Sequence, residues 1–406
     1  MNVSPTFSPP MRIMGPYFIV AGVFYLLSMF SLLFLDITCN LHDLNLVAWV
    51  HQFMLGFVMI SIFAAMAQLA PIVVEANHRF MSFFNIIWIL LLLGLVVMLI
   101  GFYVSVAFLS FGGILVLTAM VLFAVDLWLT LKSGRRRTSV ISSMKASNFF
   151  LLFGVLSGVM MALFYSGVEL NATRWYNIHV FSLIGGFVLM IIMGVSTVLV
   201  PMFGYSKRVS DNDFELSFKT MFLGVMVMIT GSLFQIESLE KISILFMMAS
   251  VAFYFYQLFH MFTSRARVEH DVWAKSMYVG FGSLALAWLF IVLSFLGVSE
   301  LLKPGLWLLL VGFMGFLIFG NFYKIIPFLV WFQRYSPLVG EQEVPMLHEL
   351  VNQKMASMQL TFSSLGLFIT TIALLIQNQL LFSIGSTLLI VGAVFMLVQI
   401  VKIIKN

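Results

Sequence analysis

Twelve apolar segments of about twenty residues each constrain the fold of this chain more than any other feature. Because the hydrocarbon core of a bilayer offers no water to backbone groups, each segment is predicted to be helical. The predicted fold class is all-α, a polytopic membrane protein of about 12 transmembrane helices. The segments lie at approximately residues 16–36, 46–74, 80–104, 106–131, 147–168, 176–204, 217–236, 242–264, 275–297, 304–332, 356–377 and 379–401.

Composition supports a membrane location and the lipid bilayer as a partner. Hydrophobic residues make up 62% of the 406 residues and charged residues only 9%. An average soluble domain carries about 25% charged residues. A water-soluble fold has no means of hiding so much apolar surface, so that class is excluded.

The distribution of Lys and Arg predicts the orientation, because cytoplasmic loops retain positive residues. The opposite, outer side holds only Arg174, Lys241 and Lys303. Both termini are therefore predicted to be cytoplasmic, and the net charge of +5 reflects topology rather than a nucleic-acid surface. The run from Arg135 to Arg137 is interpreted as a stop signal beside anionic headgroups. The positive residues on the cytoplasmic side are Arg12, Arg79, Lys132, Arg135, Arg136, Arg137, Lys145, Lys207, Arg208, Lys219, Arg265, Arg267, Lys275, Arg334, Lys354, Lys402 and Lys405.

The amino terminus lacks a cleavable signal pattern, so the first span is expected to be retained.

Two sulfur-containing features bear on metal binding. Cys39 is the single cysteine, which excludes an intrachain disulfide or a Cys-x-x-C motif. Cys39 and His42 have C-x-x-H spacing, a weak copper signal for which coincidence is the simpler interpretation. The 28 methionines are scattered through the spans and are typical of apolar packing.

An internal repeat links the second, sixth and tenth spans. Each contains Gly-Phe followed, fifteen residues after the glycine, by proline, and the three starts are 130 and 126 residues apart. The chain is thus predicted to be a single transmembrane domain, residues 1–406, with pseudo-repeats at approximately 10–135, 140–265 and 270–406. The glycine and proline pairs are Gly56 with Pro71, Gly186 with Pro201, and Gly312 with Pro327.

Small residues at these positions predict close helix packing. A further small residue follows each repeated glycine by eight positions, at Ala64, Gly194 and Gly320. Small residues let transmembrane backbones approach, and proline is tolerated where neighbours satisfy the carbonyl that it frees. The second, sixth and tenth helices are therefore predicted to be the central ones.

Two histidines are the principal candidate ligands. His51 lies five residues before Gly56, and His179 lies seven residues before Gly186, both near the predicted outer ends of repeated helices. Neutral imidazole is a good ligand for haem iron and for copper. The third repeat has Gly305 and Trp307 at these positions, which excludes a symmetric three-histidine site. The alternative is that each ring sits at headgroup level and bonds a carbonyl or water.

Three polar residues lie within the spans near the predicted inner face. Lys324 precedes Pro327 by three residues, Gln68 occupies the matching position of the second span, and Asp126 lies in the fourth. Opposite charges at similar depth commonly pair, so Lys324 and Asp126 are candidates for an inner proton or ion site. The simpler interpretation has Lys324 reaching the headgroups and Asp126 exposed at the interface. The polar loop at residues 336–354 is expected to be a solvated connector.

The repeated helices resemble those of a known superfamily. The segment WVHQFMLGFVMISIFAAMAQLAPIV, residues 49–73, resembles the second helix of haem-copper oxidase subunit I-like proteins, including cbb3-type and NnrS-type relatives. HVFSLIGGFVLMIIMGVSTVLVPMF and GFMGFLIFGNFYKIIPFLVWFQRY resemble the sixth and tenth helices. The resemblance implies a bacterial inner membrane protein in which His51 is an axial haem ligand and His179 is the ligand that normally faces copper.

The departures from this superfamily imply a relative that does not reduce oxygen. The tenth span has no histidine, the seventh lacks the paired histidines, and the chain has only seven histidines in all. The expected function is haem b or copper binding in respiratory electron transfer, nitric oxide response or respiratory-complex assembly, with respiratory-chain proteins or a second copy as partners. The alternatives are a frame without a cofactor, a structural partner in a larger complex, and a transporter or channel that uses Lys324, Asp126 and Gln68.

Overall fold

A computed structural model of the chain describes residues 9–134, 138–266 and 270–405. Within them, twelve helices are long and apolar enough to cross a membrane. The predicted fold class, an all-α polytopic membrane protein, is confirmed. In chain order the helices are α1 Met11–Phe34, α2 Leu44–Val74, α3 Met81–Tyr103, α4 Phe108–Ser133, α5 Ser139–Tyr165, α6 Ala172–Gly204, α7 Asp211–Phe234, α8 Glu237–Thr263, α9 Val272–Phe295, α10 Ser299–Arg334, α11 Gln353–Leu375 and α12 Gln379–Lys405.

The largest differences from the predicted spans lie where helices begin. Helix α5 begins at Ser139 rather than near 147, because the Thr138 side chain caps it by accepting from the Ile141 N–H. Helix α8 begins at Glu237 rather than near 242, with acidic residues in the first turn that favour the positive helix end. Hydropathy marks only the stretch in hydrocarbon, so it misses these polar turns. The arginine run at 135–137 lies outside the described residues.

The described chain divides into two compact units. One comprises Ala65–Val268 with Pro9, and the other comprises Pro10–Ala64 with Glu269–Asn406. The first unit contains the carboxyl-terminal part of α2 and helices α3 to α8. The second contains α1, the beginning of α2, and helices α9 to α12. Each unit therefore has its own set of packed helices, and each carries one of the two candidate histidines.

The three repeated helices are the most buried in the chain. In their most apolar stretches, 89% of α2, 78% of α6 and 72% of α10 is buried, whereas the other nine helices range from 22% to 50%. High burial is what close packing through small residues predicts for these helices. The physical reason is visible at the repeated glycines, where a side chain has no room. A Cβ at Gly186 would lie 2.6 Å from the Phe150 ring, and one at Gly312 would lie 2.6 Å from Ser283.

Each repeated helix contains a π-helical segment that includes its Gly-Phe pair. The segments are Met54–Met59 in α2, Ser182–Leu189 in α6 and Leu308–Gly315 in α10. Such wide turns are rare and are frequent at functional sites. Their recurrence at the same place in three helices supports the interpretation of the chain as three related four-helix units.

Candidate functional site

His51 lies in the second unit, on α2, one turn before the π-helical segment that begins at Met54. Its ring is half-buried. Nδ1 lies 2.8 Å from the carbonyl oxygen of Val47, one turn earlier on the same helix. A carbonyl can only accept, so Nδ1 carries the proton, and in the neutral ring Nε2 is the nitrogen with the lone pair.

Indole rings pack on the helix beside His51. The Trp49 ring stacks on Phe53 at 5.6 Å and on Trp307 of α10 at 5.7 Å between ring centroids. Each indole N–H has an acceptor, the Ser28 carbonyl for Trp49 and the Thr370 hydroxyl for Trp307. The tenth helix, which lacks a histidine here, instead supplies a buried indole to an aromatic stack within this unit.

His179 lies in the first unit, on α6, also one turn before a π-helical segment, which begins at Ser182. Its Nδ1 lies 2.9 Å from the carbonyl oxygen of Gly154 on α5. The neighbouring Gly158 makes room for the ring, because a Cβ there would lie 2.7 Å from His179 Nδ1 and Cε1. Two glycines one turn apart on α5 thus fix the position of this imidazole.

The two histidines have the same spacing to the π-helical segments of their helices, although their spacing to the repeated glycines differs. From the glycines they differ by two residues, but each lies three residues before its π-helical segment. The segment in α6 is two residues longer than that in α2, eight residues against six. The two additional residues between His179 and Gly186 lie within this longer segment. The corresponding position of α10 is Gly305.

Of the three intramembrane polar residues, Lys324 and Asp126 pair with other residues rather than with each other. Lys324 donates to Asp271 at 2.7 Å, and both side chains are about one-fifth exposed. Asp271 also caps α9 by accepting from the Ala274 N–H. Asp126 is fully buried, so the expectation of an exposed interfacial carboxylate is wrong. Gln68 is buried on α2, as its position within the span predicts.

Asp126 is paired with His78, which was not predicted as a site residue. His78 Nδ1 lies 2.6 Å from Asp126 Oδ2, with both side chains almost completely buried. One feature of the sequence could have identified His78 as a site residue. Pro71 has no N–H to give to the carbonyl four residues earlier, that of Ala67, and His78 Nε2 lies 2.8 Å from that oxygen. An imidazole shortly after a proline-containing helix end was therefore the clue.

A lysine contacts the first loop, between α1 and α2. Lys303 Nζ donates to the carbonyls of Ile37 and Cys39 at 2.6 and 2.5 Å. Partial burial raises the pKa of the Cys39 thiol, against the opposing effect of the Lys303 charge. Over residues 9–134, 138–266 and 270–405, no group of three or more His, Cys, Asp or Glu side chains has the arrangement of a metal site.

Fold and geometry together define an all-α, multi-pass membrane protein with an imidazole fixed by a backbone carbonyl in each of two units. No protein-family model matches the chain, and no curated protein matches it.

Proposed function

We propose that this protein binds haem b through His51, that His179 is a second candidate metal ligand within its own unit, and that the protein is a relative of the haem-copper oxidase superfamily that does not reduce oxygen. Haem iron in proteins is commonly held by imidazole nitrogen. Copper, which the same ligand suits, is the alternative metal for either site. The proposal places the protein in the bacterial cytoplasmic membrane, with both termini cytoplasmic and the two histidines near the outer face.

The observation that carries this proposal is that the same ring nitrogen of both histidines is hydrogen-bonded to a backbone carbonyl. In both, Nδ1 faces a backbone carbonyl, at 2.8 Å for His51 and 2.9 Å for His179. Metal-ligating histidines almost always donate their second ring N–H to a carbonyl, carboxylate or water, which fixes the tautomer and ring orientation. The donor set therefore fits an imidazole that ligates iron through Nε2.

The position of the histidines in the repeat adds support. Each precedes a π-helical segment by one turn, in the two most buried helices of the chain. A bound haem would supply one-electron chemistry between the ferric and ferrous states. The chain's own contribution is to hold the imidazole tautomer through the Val47 and Gly154 carbonyls. Electron transfer, a nitric oxide response and assembly of a respiratory complex are the roles that this arrangement suits.

The test is an ultraviolet-visible spectrum of the detergent-purified protein, oxidised and then reduced with dithionite, with metal analysis of the same sample. We expect a Soret band and a reduced alpha band with iron near one equivalent per chain. His51→Ala is expected to abolish the bands, and His179→Ala is expected to lower the iron or copper content found by metal analysis. His42→Ala, which alters an exposed histidine of the preceding loop, is the matched control and should leave the spectrum unchanged.

A colourless preparation without iron or copper, from cells supplied with both, would contradict the proposal. Retention of the full spectrum in a folded His51→Ala variant would also contradict it. The transport alternative receives no comparable support, because Lys324 forms an ion pair with Asp271, a helix-capping residue. A transporter would lose transport in Lys324→Met without any change in bound cofactor.

A further inference from the structure

A buried imidazole and carboxylate form a closed hydrogen-bonded cluster in the first unit, at the predicted inner end of α2. The His78 and Asp126 side chains are 2% and 1% exposed. Asp126 Oδ2 faces His78 Nδ1 at 2.6 Å, and Asp126 Oδ1 accepts from the Phe80 N–H at 2.7 Å. One carboxylate on α4 thus holds both the histidine and the backbone of the segment between α2 and α3.

The other side of the same imidazole holds the end of α2. Pro71 leaves the Ala67 carbonyl without its helical N–H donor, and an unpaired buried carbonyl is costly. The chain leaves the helix at Glu75, in a left-handed conformation with φ 56°, and turns back so that His78 Nε2 reaches that carbonyl at 2.8 Å. His78 therefore joins the freed carbonyl of α2 to the carboxylate of α4.

The identity of these two acceptors fixes the number of protons that the cluster must hold. Ala67 offers a carbonyl, so Nε2 must carry a proton whatever the state of the pair. The short contact between Nδ1 and Oδ2 then needs exactly one further proton, on either atom. With that proton the pair is neutral overall, as imidazolium with carboxylate or as imidazole with carboxylic acid.

Loss of the shared proton would leave two lone pairs facing each other. The ring would be neutral and the carboxylate ionised, giving a net charge of −1 in a site that water does not reach. Repulsion between Nδ1 and Oδ2 would replace the hydrogen bond, and among the described donors the buried carboxylate would retain the Phe80 N–H. The contact is thus stable only while a proton occupies it.

We propose that His78 and Asp126 form a proton-binding site, and that the bound proton holds the segment between α2 and α3 against α4. When the proton leaves to the aqueous phase, the segment separates from Asp126, and the Ala67 carbonyl loses its donor. Rising pH therefore opens the predicted inner end of α2, and falling pH closes it. The site is independent of haem binding, so either proposal can fail without the other.

Among the described residues, few other charged side chains lie near this pair. In its own segment lie Glu75 and Arg79, and the Arg79 N–H faces Thr130 on α4. Thr130 also approaches His78 Nδ1 at 3.5 Å, and the Phe84 ring of α3 packs on the imidazole. The other charged side chains on α4 and α5 are Lys132 at the end of α4 and Lys145 on α5, whereas residues 84–103 of α3 contain no charged residue.

The experiment uses the full chain in phosphatidylcholine nanodiscs over a series of pH values. Nitrogen-15 NMR of labelled histidine reports the His78 ring, assigned by loss of its signals in His78→Gln. Hydrogen-deuterium exchange of peptides covering residues 67–84 reports the backbone, normalised at each pH to peptides from α7. In the wild type we expect one transition in which the Nδ1 signal changes and exchange in this segment rises by roughly tenfold or more.

Two variants of Asp126 distinguish the effect of losing the proton from the effect of losing the hydrogen bonds. Asp126→Asn keeps every hydrogen bond, because the amide can donate to Nδ1 and accept from Phe80 while holding no titratable proton. It should fold and keep the segment closed at every pH. Asp126→Ala should leave the segment open at every pH. Asp271→Asn, which alters the ion pair between Lys324 and Asp271, is the control and should show the wild-type transition.

The proposal is overturned if Asp126→Asn shows the same pH-dependent opening as the wild type. It is equally overturned if the His78 ring titrates while exchange in residues 67–84 stays constant, because the proton would then not hold the segment. If Asp126→Ala fails to fold, Asp126→Asn and the wild type alone decide the question.

Discussion

At the scale of single residues, Gly158 is the position on which the His179 imidazole most depends. A Cβ there would lie 2.7 Å from the ring, so Gly158→Ala must displace the imidazole or push α5 from α6. We expect a loss of about 1–3 kcal/mol in stability, as for other overpacked cores. Thermal unfolding in detergent measures it, and the metal content of the purified protein should fall in parallel.

The matched control is Gly282→Ala on α9. This glycine is exposed, and no atom lies within 4 Å of a Cβ built there. Alanine also has the higher helix propensity, by about 1 kcal/mol in water. The Gly282 variant should therefore be as stable as the wild type or more stable. Equal behaviour of the two variants would show that the contact with His179 is not tight.

The Cys39 thiol gives a second test at the residue scale. Burial raises its pKa, while the Lys303 charge opposes that rise, so the reactive thiolate is scarce at neutral pH. Alkylation by iodoacetamide should be slower than for a free cysteine and should accelerate as pH increases. Lys303→Gln should slow it further at a fixed pH. A faster reaction in that variant would mean that access, rather than charge, limits the thiol.

At the scale of elements, the repeated glycines set how closely each central helix approaches the first helix of its own repeat. A Cβ at Gly56 would overlap the Phe24 ring of α1. Gly56→Ala should therefore destabilise the protein, and Phe24→Ala should destabilise it by opening a void. In the double variant the new methyl group enters that void, so the cycle should show a favourable coupling of about 0.5–3 kcal/mol. Additive effects would contradict this packing.

At the scale of the whole molecule, the charge asymmetry of the loops predicts a measurable topology. Cys39 is the single cysteine of the chain, in the first loop on the predicted outer side. A membrane-impermeant maleimide should label it in spheroplasts at raised pH. In a Cys39→Ser background, Glu343→Cys in the exposed loop before α11 should be labelled only after permeabilisation. The reverse pattern would overturn the orientation.

The sequence pattern predicted where the helices lie along the chain, but it did not predict the polar contacts between them. The twelve spans were evident because a stretch in hydrocarbon must be apolar along its own length. The central helices were evident from glycine spacing, because a missing side chain is a local property. The π-helical segments were not predicted, although the two additional residues between His179 and Gly186 lie within one of them. A wide turn depends on what a helix packs against, and hydropathy does not record that.

The sequence by itself determined an all-α membrane protein with three especially buried helices and two histidines beside their glycine motifs. Backbone groups in a bilayer must bond within their own helix, so this level of structure is encoded locally. Only the tertiary structure decided that Asp126 pairs with His78 and Lys324 with Asp271. Ion-pair partners in apolar surroundings depend on which helices pack together, and the chain separates the members of these pairs by 48 and 53 residues.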